Sequence, residues 1–232
     1  MADQHDKVLL ITGASSGIGA ETARAAARAG YRLALCARSE DKLQSLVEEL
    51  GDDQAFAVVC DVADFNGQQR MVDAVINHYG RIDAVFANAG TGGEPGGFSG
   101  APVDSWKTMV DVNILGVAYT LRASLEAVKK NQGHVLLTGS VAGRRTLAGS
   151  MYSATKWAVS AIGYGLRAEL EGSGVRVTLI EPGMVDTPFF DEPKPGVLKA
   201  EDVARAVVYA LTQPAHVDVH ELMLLPTPPK DE

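Results

Sequence analysis

The chain has 232 residues, 46% hydrophobic and 22% charged, enough for one α/β domain with a full core and ordinary for a soluble globular protein. Its formal net charge of −8 argues against a nucleic-acid partner, which needs a basic face, and no run of like charge is long enough to form a tail. The first residues are polar and lack the apolar centre of a signal peptide, no apolar run approaches the ~20 residues of a membrane span, and two cysteines make no disulfide framework, so the expected setting is cytoplasmic and reducing.

Strand-like and helix-like patterns alternate from end to end. The apolar run Val8-Leu9-Leu10-Ile11 reads as a short buried strand. It leads into Thr12-Gly13-Ala14-Ser15-Ser16-Gly17-Ile18-Gly19, and then into an Ala-rich helix over 21–29 that Gly30 stops. Strand, glycine turn, helix is the setting a nucleotide phosphate requires. A helix start offers unpaired N–H groups and the positive end of a dipole. Glycine lets the backbone approach an anion where a Cβ would block it. The spacing G-x-x-x-G-x-G differs from the commonest dinucleotide fingerprint, G-x-G-x-x-G, and alone it reads equally as a plain turn.

Further strands are expected at 32–37, 55–60, 82–87, 135–138, 175–180 and 221–225. Helices are expected at 41–50, 68–78, 104–130, 151–171 and 201–211, and the glycine-rich stretch 90–100 reads as a loop. Repeated strand–helix units with near-continuous apolar strands predict a Rossmann-like, doubly wound parallel sheet of about seven strands. Helices cover both faces, and ligands bind at the carboxyl ends of the strands. One domain spans 1–232, with 226–232 as a loose tail and no internal linker or repeat. His216 and His220 stand four apart but flank a strand-like run, and the histidines form no cluster, so no metal site is expected.

Four polar residues fall where such a fold places its chemistry. Ser140 lies just past the strand at 135–138, and Asn113 lies inside the helix at 104–130. Tyr152 and Lys156 sit at i and i+4, on one face of the next helix. By themselves, Tyr-x-x-x-Lys reads as a solvated helix face and Asn113 as a helix-interior residue bonding back to its own turn.

In chain order, seven motifs resemble those of the short-chain dehydrogenase/reductase family. They are the turn from Thr12 to Gly19, Asp61-Val62, Asn88-Ala89-Gly90, Asn113 within Val112-Asn113-Ile114-Leu115-Gly116, Ser140, Tyr152-Ser-Ala-Thr-Lys156, and Pro182-Gly183 with Thr187. They cover essentially the whole chain. The C-terminal Pro214-Ala215-His216, His220-Glu221-Leu222 and Leu225-Pro226-Thr227 resemble a bacterial subgroup that includes NADP-dependent hydroxy-acid and aldehyde reductases.

The resemblance implies hydride transfer between a nicotinamide and a carbonyl or secondary alcohol. Tyr152 is then the general acid or base, with Lys156 and the nicotinamide's charge lowering a phenol pKa that is ordinarily near 10. Ser140 steadies the substrate oxygen, and Asn113 anchors a water that links Lys156 to solvent. The same resemblance puts Gly13, Ser15, Ser16, Gly17, Ile18 and Gly19 at the cofactor phosphates and Asp61 and Val62 at the adenine. Asn88, with Ala89 and Gly90, falls at the adenine ribose. Tyr152, Lys156, Pro182, Gly183, Val185 and Thr187 complete the cofactor site.

An NAD-selective site carries Asp or Glu ≈ 20 residues after the glycines. The second strand instead ends Leu35-Cys36-Ala37-Arg38-Ser39. Arg38 reads as the partner of a 2′-phosphate or as an exposed arginine opening the next helix. NADP(H) is the expected cofactor, with NAD(H) left open.

Arg145, Leu147, Met184 and Phe189 are the candidate substrate contacts, which with Val185 suggest a modest, partly apolar carbonyl compound. Arg144 and Arg145 read either as carboxylate-binding groups or as surface charges. The segment 187–201 is short for the family, which implies an open pocket, a large substrate, weak selectivity, or a wall completed by a neighbouring subunit's tail. The Ser140-to-Tyr152 spacing is also tighter than the commonest family pattern, with the loop at 143–149 expected to absorb the difference. Cys36 and Cys60 end adjacent strands, as core thiols or as a redox pair.

The helices at 104–130 and 151–171 are apolar on more than one face, so a second copy is expected to pack there as a homodimer or homotetramer. The competing readings are a non-catalytic dinucleotide sensor and a sugar-nucleotide epimerase or dehydratase. The last needs a substrate domain for which little chain remains.

Overall fold

A computed structural model describes residues 6–227 of the chain. Its first half runs β1 (Val8–Thr12), α1 (Gly17–Arg28), β2 (Arg32–Ala37), α2 (Glu40–Leu50), β3 (Ala55–Val59), α3 (Phe65–Tyr79), β4 (Ala84–Ala87) and a single turn, α4 (Gly97–Gly100). There follow α5 (Val103–Val110), α6 (Gly116–Lys130), β5 (His134–Thr138), α7 (Met151–Glu169), β6 (Arg176–Pro182), β7 (Val185–Asp186), β8 (Leu198–Lys199), α8 (Ala200–Leu211) and β9 (Glu221–Leu224).

Seven strands form one parallel sheet in the order β3-β2-β1-β4-β5-β6-β9. The strands carry apolar side chains on both faces because both faces are covered, so β1 and β5 have no exposed position. One face packs on α1, α2 and α8 through residues such as Ala23, Leu43 and Val207. The other packs on α3, α6 and α7 through Val75, Leu121 and Val159. The strand order reverses at β1, which pairs with β2 on one side and β4 on the other. A crevice opens at such a reversal, beyond the strands' carboxyl ends.

Three local departures from the sequence reading bear on that crevice. The helix expected at 104–130 is interrupted by a wide π turn, Asp111–Leu115, between α5 and α6. The stretch 90–100, expected as a loop, ends in α4. A two-stranded parallel ladder, β7 with β8, had not been expected, because two-residue strands carry no periodicity to read. The expected tail is described only as far as Thr227, and 228–232 lie outside the described residues. No helix among the described residues is long and apolar enough to cross a membrane.

Phe86, on central strand β4, is fully buried between layers. Phe86→Ala is expected to lower the unfolding free energy by about 3–5 kcal/mol through lost burial and a residual cavity. Denaturant titration followed by tryptophan fluorescence checks this, and a loss under about 1 kcal/mol would mean the core had collapsed onto the gap.

Candidate active site

At the carboxyl end of β1 the chain turns through Gly13 and Gly17, whose φ angles of +67° and +53° favour glycine. Ser16 is the extended N-cap of α1, and no side chain caps that helix, so its first N–H groups are left for a ligand. Ser15, Ser16, Gly17 and Ile18 line a cleft of about 460 Å³. Gly19 sits beneath it, where a Cβ would come within 2.2 Å of the Gly13 carbonyl oxygen. Gly19 is thus required by the tightness of the turn and does not face the cleft.

Three strand ends are tied together across the crevice. The Thr12 hydroxyl accepts from the Asn88 and Ala89 N–H groups at 3.1 and 3.2 Å. Asn88 Nδ2 donates to the Thr12 carbonyl at 3.1 Å, and the Thr138 hydroxyl donates to Asn88 Oδ1 at 3.0 Å. The ends of β1, β4 and β5 therefore hold one geometry. Thr12 and Thr138 were missed as site-building residues. Their signal was a hydroxyl on the last position of an otherwise apolar strand.

Beyond β5, Ser140 accepts from the Ala142 N–H at 3.1 Å and donates to the Pro182 carbonyl at 3.4 Å. Tyr152 and Lys156, one turn apart on α7, face the same cleft. Lys156 is almost entirely buried, and its ammonium donates to the Thr138 carbonyl at 2.8 Å. Burial pulls its pKa down to about 8, because the charged form loses water. The Tyr152 phenol is pushed up to about 12 by burial, with the Ser140 hydroxyl working in the opposite direction. Lys156 Nζ lies 5.7 Å from the phenol ring's centre, and its hydrogen bond goes to the Thr138 carbonyl.

Asn113 lies behind this pair, buried in the π turn. Its Oδ1 accepts from the Thr91 N–H at 2.8 Å, and its Nδ2 donates to the Thr91 carbonyl at 2.9 Å and the Thr155 hydroxyl at 3.1 Å. The widened turn aims the amide at the loop after β4. That loop passes so close that a Cβ on Gly90 would lie 3.4 Å from Asn113 Oδ1 and 3.7 Å from Lys156 Nζ.

The cleft also gathers Arg38, Asp61, Val62, Asn88, Ala89, Gly90, Pro182, Gly183, Val185, Thr187 and Phe189. Arg38 is exposed at its lip, and Asp61 turns one carboxylate oxygen to the Ala63 N–H at 3.0 Å. Arg145, Leu147 and Met184 are exposed and stand off the cleft wall. Arg144 is neither a surface charge nor a cleft group. Its Nε donates to both oxygens of fully buried Glu181, at 2.7 and 2.9 Å, and its Nη2 pairs with Glu221 at 2.9 Å. Cys36 and Cys60 are free, buried thiols on the side of the sheet that faces α3, and Cys60 reaches the cleft floor.

Residues 7–196 match a family model described as short chain dehydrogenase. An uncharacterized oxidoreductase of Staphylococcus epidermidis is 41% identical over 97% of this chain and 100% of its own length. An alcohol dehydrogenase from the archaeon Thermococcus sibiricus, solved with 5-hydroxy-NADP, superposes with a TM-score of 0.90 at 36% identity, covering 97% of this chain and 99% of that one. Serine dehydrogenase from Escherichia coli superposes with a TM-score of 0.87 at 34% identity, covering 94% and 97% respectively.

Removing the Asn113 amide orphans the Thr91 N–H and carbonyl. Asn113→Ala is expected to cost about 1–3 kcal/mol of stability, the range for a buried polar group left unpaired. Equilibrium denaturation measures it, and a change within about 0.5 kcal/mol, as at an ordinary surface site, would mean water replaces the amide without loss.

Proposed function

The chain belongs to the short-chain dehydrogenase family, and from that premise we propose that its cleft interconverts a small-molecule carbonyl and the corresponding alcohol with NADP(H). As a dehydrogenase or reductase it needs a hydride carrier, and the nicotinamide supplies that chemistry when bound. One observation carries the reading: the phenol of Tyr152, the hydroxyl of Ser140 and the buried ammonium of Lys156 meet in one cleft with an uncapped helix start.

The residues fit such a cofactor. Gly13, Ser15, Ser16, Gly17 and Ile18 would take its phosphates, where backbone N–H groups are free and no Cβ intrudes. Arg38 would meet a 2′-phosphate, since among the described residues no carboxylate pairs with it, and it opens onto the cleft. Asp61 and Val62 would border the adenine, and Asn88 with Ala89 and Gly90 its ribose. Pro182, Gly183, Val185 and Thr187 would bound the far end. With Thr187 only 3.2 Å from the Cβ that Gly17 lacks, that end leans on the glycine turn.

In the reductive direction Tyr152 holds its proton firmly at neutral pH, because burial disfavours the phenolate. It gives that proton to the substrate oxygen as negative charge develops there. Ser140 lies within reach of the same oxygen and donates to it, as an oxyanion-stabilising hydroxyl does. Lys156, held under the phenol, opposes the cost of the phenolate that remains. Asn113 fixes the loop that roofs Lys156 and so acts as a positioning residue. That Tyr152 and Lys156 both face the cleft gives the sensor reading no support.

We further infer that the whole chain is one functional unit and that copies associate through α6 and α7. On α7 the exposed positions include Ala154, Trp157, Ala161, Tyr164, Gly165 and Ala168, an apolar and small-residue stripe with room for a facing helix.

Tyr152→Phe is expected to keep NADPH affinity within about threefold and to lower kcat by 10³ or more, the upper range for a lost general acid. Fluorescence titration and the loss of NADPH absorbance are the measurements. A variant that turns over at the parent rate ends the assignment, and tighter binding of NADH than NADPH by the parent ends the cofactor choice. Light scattering at micromolar concentration is expected to give the mass of two or four chains, and a single-chain mass would refute the association.

A further inference from the structure

We propose that the reacting end of the cleft takes a neutral, largely apolar carbonyl compound and rejects a free carboxylate beside the carbonyl. The inference rests on the reading above, in which Tyr152 protonates the substrate oxygen.

The charged side chains on the cleft wall are Arg38, Asp61 and Lys156. Arg38 and Asp61 follow β2 and β3, whereas Ser140 and Tyr152 follow β5. Strands β1 and β4 stand between β2 and β5, so at about 4.8 Å per strand Arg38 is some 14 Å from the reacting end. Lys156 lies under the phenol and is held by the Thr138 carbonyl, not open to a substrate group.

The arginines that follow Ser140 offer nothing to a carboxylate there. Arg144 is spent on Glu181 and Glu221, and Arg145 is exposed off the wall. Lys194 sits 5.5 Å over the Phe190 ring and is not part of the wall either.

The rest of the wall at this end is ring faces, backbone and the side chains of Thr91, Thr108 and Val112. The Phe189 ring lies 5.7 Å from the Tyr152 ring, tilted by 58°, and Phe190 packs edge-on to Phe189 at 5.2 Å. The far edge of the Phe189 ring approaches Gly92, where a Cβ would be 3.1 Å from its Cζ. Thr91 turns its hydroxyl to the Gly92 carbonyl at 3.3 Å. The Thr108 hydroxyl donates to the Asp104 carbonyl at 2.9 Å, so the hydroxyls left to donate to the substrate are those of Ser140 and Tyr152, and both serve one oxygen. A second polar group on the substrate would lose water and gain no partner, and a carboxylate would lose most.

The test compares phenylglyoxylate with its ethyl ester, which share the ring and the ketone and differ in charge. With NADPH, kcat/KM for the ester is expected to exceed that for the acid by about 100-fold or more, the size that follows when one charge is desolvated without a partner. Phe189 is 43% exposed, so Phe189→Arg leaves the core intact while putting a cation on the wall. It is expected to narrow the ester-to-acid ratio at least tenfold by raising turnover of the acid. An acid reduced as well as the ester by the parent overturns this inference and leaves the carbonyl chemistry standing. An unchanged ratio in Phe189→Arg also overturns it, since Phe189 would then not wall the site. Reduction of neither compound, with NADPH still bound, overturns both readings.

Discussion

Lys156 keeps almost no contact with water, and its ammonium donates to the carbonyl at the end of β5. Burying a charge on a single neutral acceptor is expensive, and that loss of water pulls its pKa down to about 8. A cation held this way has its largest effect on whatever charge next appears beside it, because little solvent screens the pair. The nearest group able to develop such a charge is the Tyr152 phenol, itself pushed up to about 12. The two shifts point in opposite directions for one reason: each charged form is costly alone. A phenolate beside an ammonium is a pair, and its formation relieves both costs together.

That relation depends on placement, and placement comes from the sheet. Thr138, which accepts from Lys156 through its carbonyl, is held through its hydroxyl by Asn88, and Asn88 is held by Thr12. A shift of β5 against β4 would break the Thr138–Asn88 bond and move the carbonyl on which the ammonium rests. The opposite side is fixed by Asn113, whose amide closes two bonds to Thr91 and one to Thr155, a residue adjacent to Lys156 on α7. Backbone groups of the loop after β4 are thereby satisfied by a side chain where no strand is near enough to do it.

The alternating elements and the parallel sheet were legible in the sequence because buried strands read as continuous apolar runs and helices as stripes. The glycine turn was legible because Gly13 and Gly17 need positive φ. Tyr152 and Lys156 followed from helical spacing, which survives whatever the tertiary packing does. The π turn was not legible. One extra residue per turn changes the phase of the pattern too little over Asp111–Leu115 to show, and only the buried Asn113 marks it. Arg144 was misread for a different reason. Its partners Glu181 and Glu221 lie on β6 and β9, and the pairing of those strands, with Ile180 opposite Leu222, is a long-range fact. The substrate candidates divided on the same ground. Phe189, which follows the β7 strand of the β7–β8 ladder, lines the cleft, whereas Leu147 and Met184, apolar and close in sequence to site residues, do not.

The short segment after Thr187 lines the cleft and is closed at its base. Its ends are held side by side, with Val185 opposite Leu198 and Asp186 opposite Lys199. Inside, the Lys194 N–H donates to Asp186 Oδ1 at 3.0 Å and the Phe190 N–H to the Thr187 carbonyl at 3.1 Å. Thr187 rests on Gly17 at one end of the cleft and Phe189 on Gly92 at the other. One segment thus spans from the glycine turn to the phenol, and at each contact a Cβ in place of the glycine hydrogen would crowd it. Phe189 of this chain walls the cleft beside Tyr152. The wall's apolar character comes from the Phe189 and Phe190 rings and the bare backbone at Gly92.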